Sequence, residues 1–360
     1  MALKDALASH DRLARLGLVL RTALFQSPFS VAMTLTLTAL LFWLIPPSFQ
    51  WAVSDAVFAP DDPTACRQTT GACWGFVVAK SGQILFGIYP PDERWRPLVV
   101  CVALLALLVV SARSQWWGWS LVVAWGVVIL ATFALMSGGV LGLVYVPTAS
   151  WGGLPVTLIL TVVAIGIAMP VSILLALARR SELTVIRWMC VGVIEVIRGL
   201  PLLTLLFVAS IMLPLFLPES LVPDKFVRAL VALTLFAAAY LSEVVRGGLQ
   251  AVPRGQYEAA RALGLGYWRT QRYIVLPQAL QIVIPALANT VIVMIKNTSL
   301  VLVVGLFDLI SSGKAALADP DWNSPAAEVY LFIGAIYFVL AFGFARFADS
   351  LERRGAANRR

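Results

Sequence analysis

Few residues of this 360-residue chain could make or break covalent bonds. His10 is its single histidine, so a catalytic triad that needs a histidine and a histidine-rich metal site are both excluded. The serine-hydrolase pattern G-x-S-x-G does not occur, which argues against a membrane enzyme. The nucleotide-binding pattern G-x-x-x-x-G-K-[ST] is also missing, so we expect any ATP to be hydrolysed by another chain.

The four cysteines fall into two classes. Cys66 and Cys73 lie seven positions apart in a stretch rich in Asp, Pro, Thr and Gly. Their spacing does not suit zinc and no histidine is near, so no metal site is predicted. They would form a disulfide if the stretch faces an oxidising compartment, and two free thiols are the alternative. Cys101 and Cys190 fall in or beside apolar runs and are interpreted as inert packing residues.

The composition indicates a membrane protein. Hydrophobic residues make up 60% of the chain and charged residues 13%, with a mean hydropathy of +0.87, whereas soluble domains carry about 25% charged residues. The net charge of +8 would suit nucleic acid, but the basic residues form short clusters between apolar runs. That pattern is typical of cytoplasmic loops, so we expect the lipid bilayer as a partner and no nucleic acid.

The apolar runs predict an all-α integral membrane protein with about eight transmembrane helices, since a spanning helix needs roughly 20 apolar residues. A shorter apolar stretch, Leu300–Phe307, is interpreted as a half-length or re-entrant piece. The predicted spans are Pro28–Ile45, Pro97–Ser111, Trp116–Met136, Gly153–Ala178, Gly199–Leu217, Phe226–Val245, Pro277–Ile295 and Ala326–Phe347.

The distribution of basic residues predicts the orientation. Segment 1–27, the loops after the fourth and sixth spans, and the basic tail 351–360 carry most of the arginines and lysines. The positive-inside rule therefore predicts that both termini are cytoplasmic. The long polar loop 46–96, with Cys66 and Cys73, would then be periplasmic.

The most informative stretch is the polar segment 246–276, which is too polar to span a membrane. Pro253 can begin a helix because its missing N–H is not needed there. Gln256–Leu263 is a good helix former, and Gly264 can end it. The segment therefore predicts a short cytoplasmic helix between the sixth and seventh spans.

The same segment carries a spaced motif of the form E-A-A, three residues, G, nine residues, I-x-L-P. It is similar to the signature of ABC-importer permeases, in which this loop forms a coupling helix that docks on the ATPase subunit. The matching residues, which the resemblance implies couple the chain to the ATPase, are Glu258, Ala259, Ala260, Gly264, Ile274, Leu276 and Pro277.

The flanking sequence resembles the polar amino-acid (histidine/glutamate-type) permeases over roughly residues 150–350. The layout is most like the larger permeases of general L-amino-acid and glutamate/glutamine/aspartate/asparagine uptake systems. The resemblance implies a five-span type I importer core, 151–350, preceded by three additional spans in 28–150. It also implies three kinds of protein partner: an ATPase dimer that holds ATP and Mg, a second and shorter permease, and a periplasmic amino-acid-binding protein. This chain itself would bind no cofactor and would lie in the bacterial inner membrane.

Two nearly identical pentapeptides place charges at predicted cytoplasmic span ends. Glu195 precedes Arg198, and Glu243 precedes Arg246, each by three positions, which makes each pair adjacent on a helix face. Ion-paired hinges near the gate and charges that only anchor helix ends are both open interpretations.

Polar residues at membrane depth are costly and often functional. Lys296 could meet a substrate carboxylate or could simply extend to the interface. The substrate-path candidates are Ser242, Asn289, Lys296, Asn297 and Ser299. An ion-gradient-driven secondary transporter and an ABC importer of another amino-acid-like solute are the alternative functions. The secondary-transporter alternative is weakened because the predicted spans are almost free of the carboxylates that would bind a coupling ion.

Overall fold

The computed structural model describes residues 24, 27–59, 61–140 and 142–357. Most of the predicted N-terminal segment, including His10, and the end of the basic tail lie outside the described residues. The described residues are helical apart from loops and one isolated bridge. The helices are α1 Pro28–Phe49, α2 Pro63–Gln68, α3 Trp74–Ala79, α4 Ser81–Phe86, α5 Trp95–Ser111, α6 Trp119–Ser137, α7 Gly153–Arg179, α8 Thr184–Gly199, α9 Leu202–Phe216, α10 Lys225–Ala251, α11 Arg254–Ala262, α12 Tyr267–Thr270, α13 Leu276–Ile282, α14 Ile284–Asn297, α15 Leu309–Ala316 and α16 Ala326–Ala357.

Seven helical stretches of the described chain are long and apolar enough to cross a membrane, or eight if the bent pair α8–α9 is one span. Contacts divide the chain into two compact units, residues 1–76 and 77–360. This division reflects contacts within the chain. The predicted boundary at residue 151, where the permease core would begin, concerns function and remains a prediction.

Several span boundaries differ from the sequence prediction, and two of the differences have a clear local cause. The first span continues beyond Ile45 to Ser54, because the helix passes through Pro46 and Pro47 and ends in a π-helical turn. The predicted fifth span, Gly199–Leu217, falls on α9, and a bend of 105° separates α9 from the preceding helix α8. Pro201 explains the break, since the residue before a proline avoids helical geometry, and Leu200 is extended.

The predicted half-length piece Leu300–Phe307 was wrong. Thr298–Val304 is a 3₁₀ helix that continues α14, so that Ile284–Val304 forms a single candidate span. The seventh span therefore starts later and ends later than predicted. Val283 interrupts the helix before α14, and Pro285 lies in its first turn, where a proline is tolerated.

The first unit contains α1 and a small disulfide-linked segment. Cys66 is bonded to Cys73, with a Cα–Cα distance of 5.5 Å. Val57 pairs with Cys73 in the isolated bridge, and the Trp74 indole N–H donates to the Ala52 carbonyl at 2.8 Å. No side chain of α1 is buried.

In the second unit, α7 packs along α10, and α5 and α6 share their core. Val100, Cys101 and Leu104 of α5 and Met136 of α6 belong to the same buried cluster as the residues of α7 and α10. The rings of Trp151 and Phe226 meet edge to face within it, 5.2 Å apart. The second and third spans are therefore part of the core and not a loose addition.

Candidate functional site

The segment between α10 and α13 is built around a short helix that ends in a left-handed glycine. Gly264 has φ +70°, and the N–H groups of Gly264 and Leu265 donate to the carbonyls of Arg261 and Ala260 at 2.9 and 3.0 Å. This is the Schellman arrangement, which satisfies the last carbonyls of a helix. A Cβ at Gly264 would meet nothing within 4 Å. The glycine is therefore needed for its backbone geometry and not for space.

The motif residues play different structural parts. Glu258 and Ala259 are exposed on α11, whereas Ala260 is fully buried inside the chain. Ile274 and Leu276 pack against a buried cluster formed by α7, α10 and α13. They hold the segment on the spans. Of the two motif alanines, only Ala259 is therefore open to contact with a partner. Pro277 is exposed in the first turn of α13.

Side-chain contacts join α11 to three spans or span extensions. The Tyr257 hydroxyl donates to the Leu249 carbonyl of α10 at 3.3 Å. Arg180, at the end of α7, donates to the same hydroxyl at 3.4 Å and lies over the Tyr257 ring. The Gln278 amide of α13 donates to the Gln256 side-chain oxygen at 3.2 Å. A force applied to α11 would therefore reach α7, α10 and α13 directly.

Glycine also allows the close approach of α10 and α13. A Cβ at Gly248 would lie 2.6 Å from the Ala279 carbonyl oxygen and 2.9 Å from the Val283 side chain. The neighbouring Gly247 has nothing within 4 Å. Only the second glycine of the pair is a packing requirement.

The sequence reading missed four large apolar side chains on this segment. They are between 53% and 77% exposed: Leu263, Tyr267, Trp268 and Tyr273. Exposed apolar patches of this kind mark surfaces that bind another protein or the membrane. Their position after the α11 helix is the signal that could have identified them.

The predicted hinge residues come together in one charged cluster at the ends of α7, α8 and α10. The Arg246 guanidinium donates to a Glu243 carboxylate oxygen at 2.9 Å, as the three-residue spacing predicts. Glu195 does not pair with Arg198. It accepts from Arg179 at 2.9 Å. Arg179, which the sequence reading missed, also donates to Glu243 at 3.1 Å and so bridges both carboxylates.

Arg198 takes part more weakly. Its guanidinium lies 3.9 Å from the Glu243 carboxylate and 5.5 Å from the centre of the Tyr240 ring. The charged groups are partly exposed, so each pair alone contributes little stability, about 0–1 kcal/mol. Together they fasten the bent pair α8–α9 to α7 and α10.

The substrate-path candidates lie on α10 and on α14 with its 3₁₀ continuation. Ser242 is buried, and its hydroxyl donates to the Ala239 carbonyl of its own helix at 2.7 Å. The Ser299 hydroxyl likewise donates to the Lys296 carbonyl at 2.8 Å. Asn289 and Lys296 are exposed and Asn297 is half-buried. Their role remains a prediction.

A buried carboxylate that the sequence reading did not select is Asp308. It is fully buried and caps the start of α15 by accepting from the backbone N–H groups of Ile310 and Ser311 at 3.1 and 2.9 Å. The Tyr337 hydroxyl of α16 donates to it at 3.2 Å. The carboxylate is therefore tied into the bundle as a helix cap, and an Asp followed three positions later by Ser is the signal for it.

Known proteins resemble the chain over most of its length. Residues 168–355 match the family described as "Binding-protein-dependent transport system inner membrane component". The inner membrane amino-acid ABC transporter permease protein YhdY of Escherichia coli (strain K12) is 45% identical over 352 residues, which cover 96% of this chain and 95% of that protein.

Two further matches differ in coverage. The glutamate/glutamine/aspartate/asparagine transport system permease protein BztC of Rhodobacter capsulatus is 35% identical, over 93% of this chain and 92% of its own length. A crystal structure of an amino acid ABC transporter with histidines is 36% identical, with a TM-score of 0.49. That match covers 56% of this chain and 92% of the solved chain.

Proposed function

Because the chain belongs to the family of binding-protein-dependent transport system inner membrane components, we propose that it is a permease subunit of an ATP-driven importer of polar L-amino acids. The amino-acid substrate class follows the names of its full-length relatives. The chain supplies a path through the inner membrane and makes and breaks no bonds itself.

The observation that carries the proposal is the geometry of α11. It is a short helix outside the candidate spans, closed by a Schellman turn and joined by side-chain contacts to α7, α10 and α13. The apolar residues next to it are exposed. We propose that an ATPase subunit covers them and moves α11 when it closes on ATP.

The movement passes from α11 to the spans as a rigid-body shift. Ridge-to-groove packing and buried glycine contacts make helix bundles resistant to gradual deformation, so they switch between discrete arrangements. The close contact at Gly248 makes α13 follow α10. The charged cluster of Arg179, Glu195 and Glu243 makes the bent pair follow α7 and α10.

The remaining partners follow the same proposal. ATP and Mg bind to an ATPase dimer and not to this chain, in which no G-x-x-x-x-G-K-[ST] pattern occurs. A second, shorter permease completes the path, and a periplasmic binding protein delivers the amino acid. Both termini and α11 lie on the cytoplasmic side, and the disulfide-linked segment lies on the periplasmic side.

Purification of the tagged chain from its native membranes in mild detergent, with mass spectrometry of the bound proteins, tests the proposal. An ATPase carrying a nucleotide-binding loop and a shorter permease are expected to co-purify. A chain that purifies alone and transports amino acids in vesicles under an ion gradient would instead support the secondary-transporter alternative.

A further inference from the structure

A large apolar cavity lies where α5 and α6 meet the rest of the second unit. Its volume is about 970 Å³, and it is lined by residues of α5, α6, α7, α14 and α16. Residues of this lining include Leu108, Trp125, Gly166, Val291 and Phe344. The cavity is partly open, and its walls belong to candidate membrane spans.

The polar groups on its wall are already satisfied within the protein. The Trp125 indole N–H donates to the Ser111 hydroxyl at 3.0 Å, and that hydroxyl donates to the Leu107 carbonyl at 2.7 Å. The hydroxyls of Thr157 and Thr161 donate to carbonyls one turn earlier in α7. A cavity without free polar partners does not hold ordered water, so its lining favours an apolar occupant.

The depth of the cavity fits one leaflet. Its lining on α7 extends from Thr157 to Ile167, which is about 15 Å at 1.5 Å per residue. This is half of a hydrocarbon core of roughly 30 Å. Next to the end of α5 lie Trp116, Trp117 and Trp119, which are all exposed. Tryptophan is enriched at the boundary between hydrocarbon and water, so these residues favour a position at headgroup level for this end of α5.

Two arginines are next in sequence to residues that line the cavity. Arg113 follows the lining residue Ala112, and Arg346 precedes the lining residue Phe347. Both arginine side chains are exposed, and neither has an ion-pair partner in the described part of the chain. Basic residues beside a pocket between transmembrane helices attract anionic lipid headgroups.

We propose that this cavity is a binding site for an anionic phospholipid. Its acyl chains fill the space between α5–α6 and α7, α14 and α16, and its phosphate pairs with Arg113 and Arg346. The lipid completes the packing of the second and third spans on the rest of the unit. The site is independent of the transported solute.

The test is lipid retention by the purified full-length protein. The protein is exchanged into micelles with equal amounts of phosphatidylglycerol and phosphatidylcholine, and the bound lipids are counted by native mass spectrometry. We expect selective retention of phosphatidylglycerol. Arg113→Gln and Arg346→Gln each lower that selectivity roughly fivefold, while the folded state by circular dichroism is unchanged.

A second pair of variants tests the cavity itself. Gly343 lines the cavity and a Cβ there would meet nothing within 4 Å, so Gly343→Leu fills the space without a clash. Gly334 on the same helix is equally open but does not line the cavity, so Gly334→Leu is its control. Loss of lipid in Gly343→Leu alone is expected.

Three results would overturn the proposal. They are equal retention of the two lipids, retention that none of the variants changes, and loss of a co-purifying protein in Gly343→Leu with lipid retention unchanged. Because the measurement needs neither transport nor ATP, its failure would leave the proposed importer function untouched.

Discussion

Replacement of Gly264 by valine tests the coupling geometry most sharply. Gly264 has φ +70°, and a Cβ at this position would meet no atom within 4 Å, so the cost of valine lies in the backbone alone. A left-handed conformation costs a non-glycine residue about 1–2 kcal/mol. That corresponds to a roughly 5- to 30-fold lower population of the turn.

The assay is ATP-driven amino-acid uptake by the reconstituted importer, with the amount of inserted chain measured in parallel. We expect normal insertion and uptake reduced roughly 5- to 30-fold in Gly264→Val. Gly264→Asn is expected to retain much more activity, because asparagine tolerates the left-handed region.

The matched control is Gly266, two positions further along. It also has no neighbour within 4 Å, but its φ of −69° and ψ of 162° suit valine. Gly266→Val should therefore transport almost normally. Equal losses in both variants, or full uptake by Gly264→Val, would refute the claim that the left-handed turn is required.

Further predictions concern packing, redox state and pH. Gly248→Ala should lower the free energy of unfolding by about 1–3 kcal/mol through overpacking. The control Gly247→Ala should be neutral or slightly stabilising. Equal thermal stabilities of the two variants would count against the close contact between Gly248 and Ala279. Cys66 and Cys73 should resist alkylation in intact cells until reduced, and labelling of both without reductant would show that they are free. A hydrogen bond from Lys80 lowers the pKa of Asp319 below the ordinary 3.8, so Asp319→Asn should lower the melting temperature at pH 7. Because stability from a lowered carboxyl pKa is lost as pH falls through the folded-state pKa, that difference should shrink as the pH falls below 3.8, and a constant difference would contradict it.

The number of spans and the position of the α11 segment follow from the sequence, because both depend on local signals. Apolar runs of spanning length are visible without any tertiary contact. The segment around α11 is polar and is bounded by Pro253 and Gly264, which begin and end a helix for reasons that hold in any context. The motif spacing then identifies the family.

Other features depend on contacts that a single sequence does not display. Arg179 bridges Glu195 and Glu243 because three helix ends meet, and the three-residue spacing predicted a different partner for Glu195. Ala260 looks like a contact residue in the motif, yet it is buried. The bend of 105° after α8 lies at Pro201. The sequence alone does not predict its size, since a proline within an apolar run is compatible with either a kink or a break.

Photo-crosslinking from the exposed Leu263 tests the central claim most directly. A crosslinking residue at position 263, which is 77% exposed beside Gly264, is compared with one at Leu221, which is 65% exposed in a loop between α9 and α10. The account predicts that position 263 captures an ATPase subunit in native membranes and that position 221 does not. Capture of the ATPase from neither position, while ATP-driven uptake continues, would contradict it.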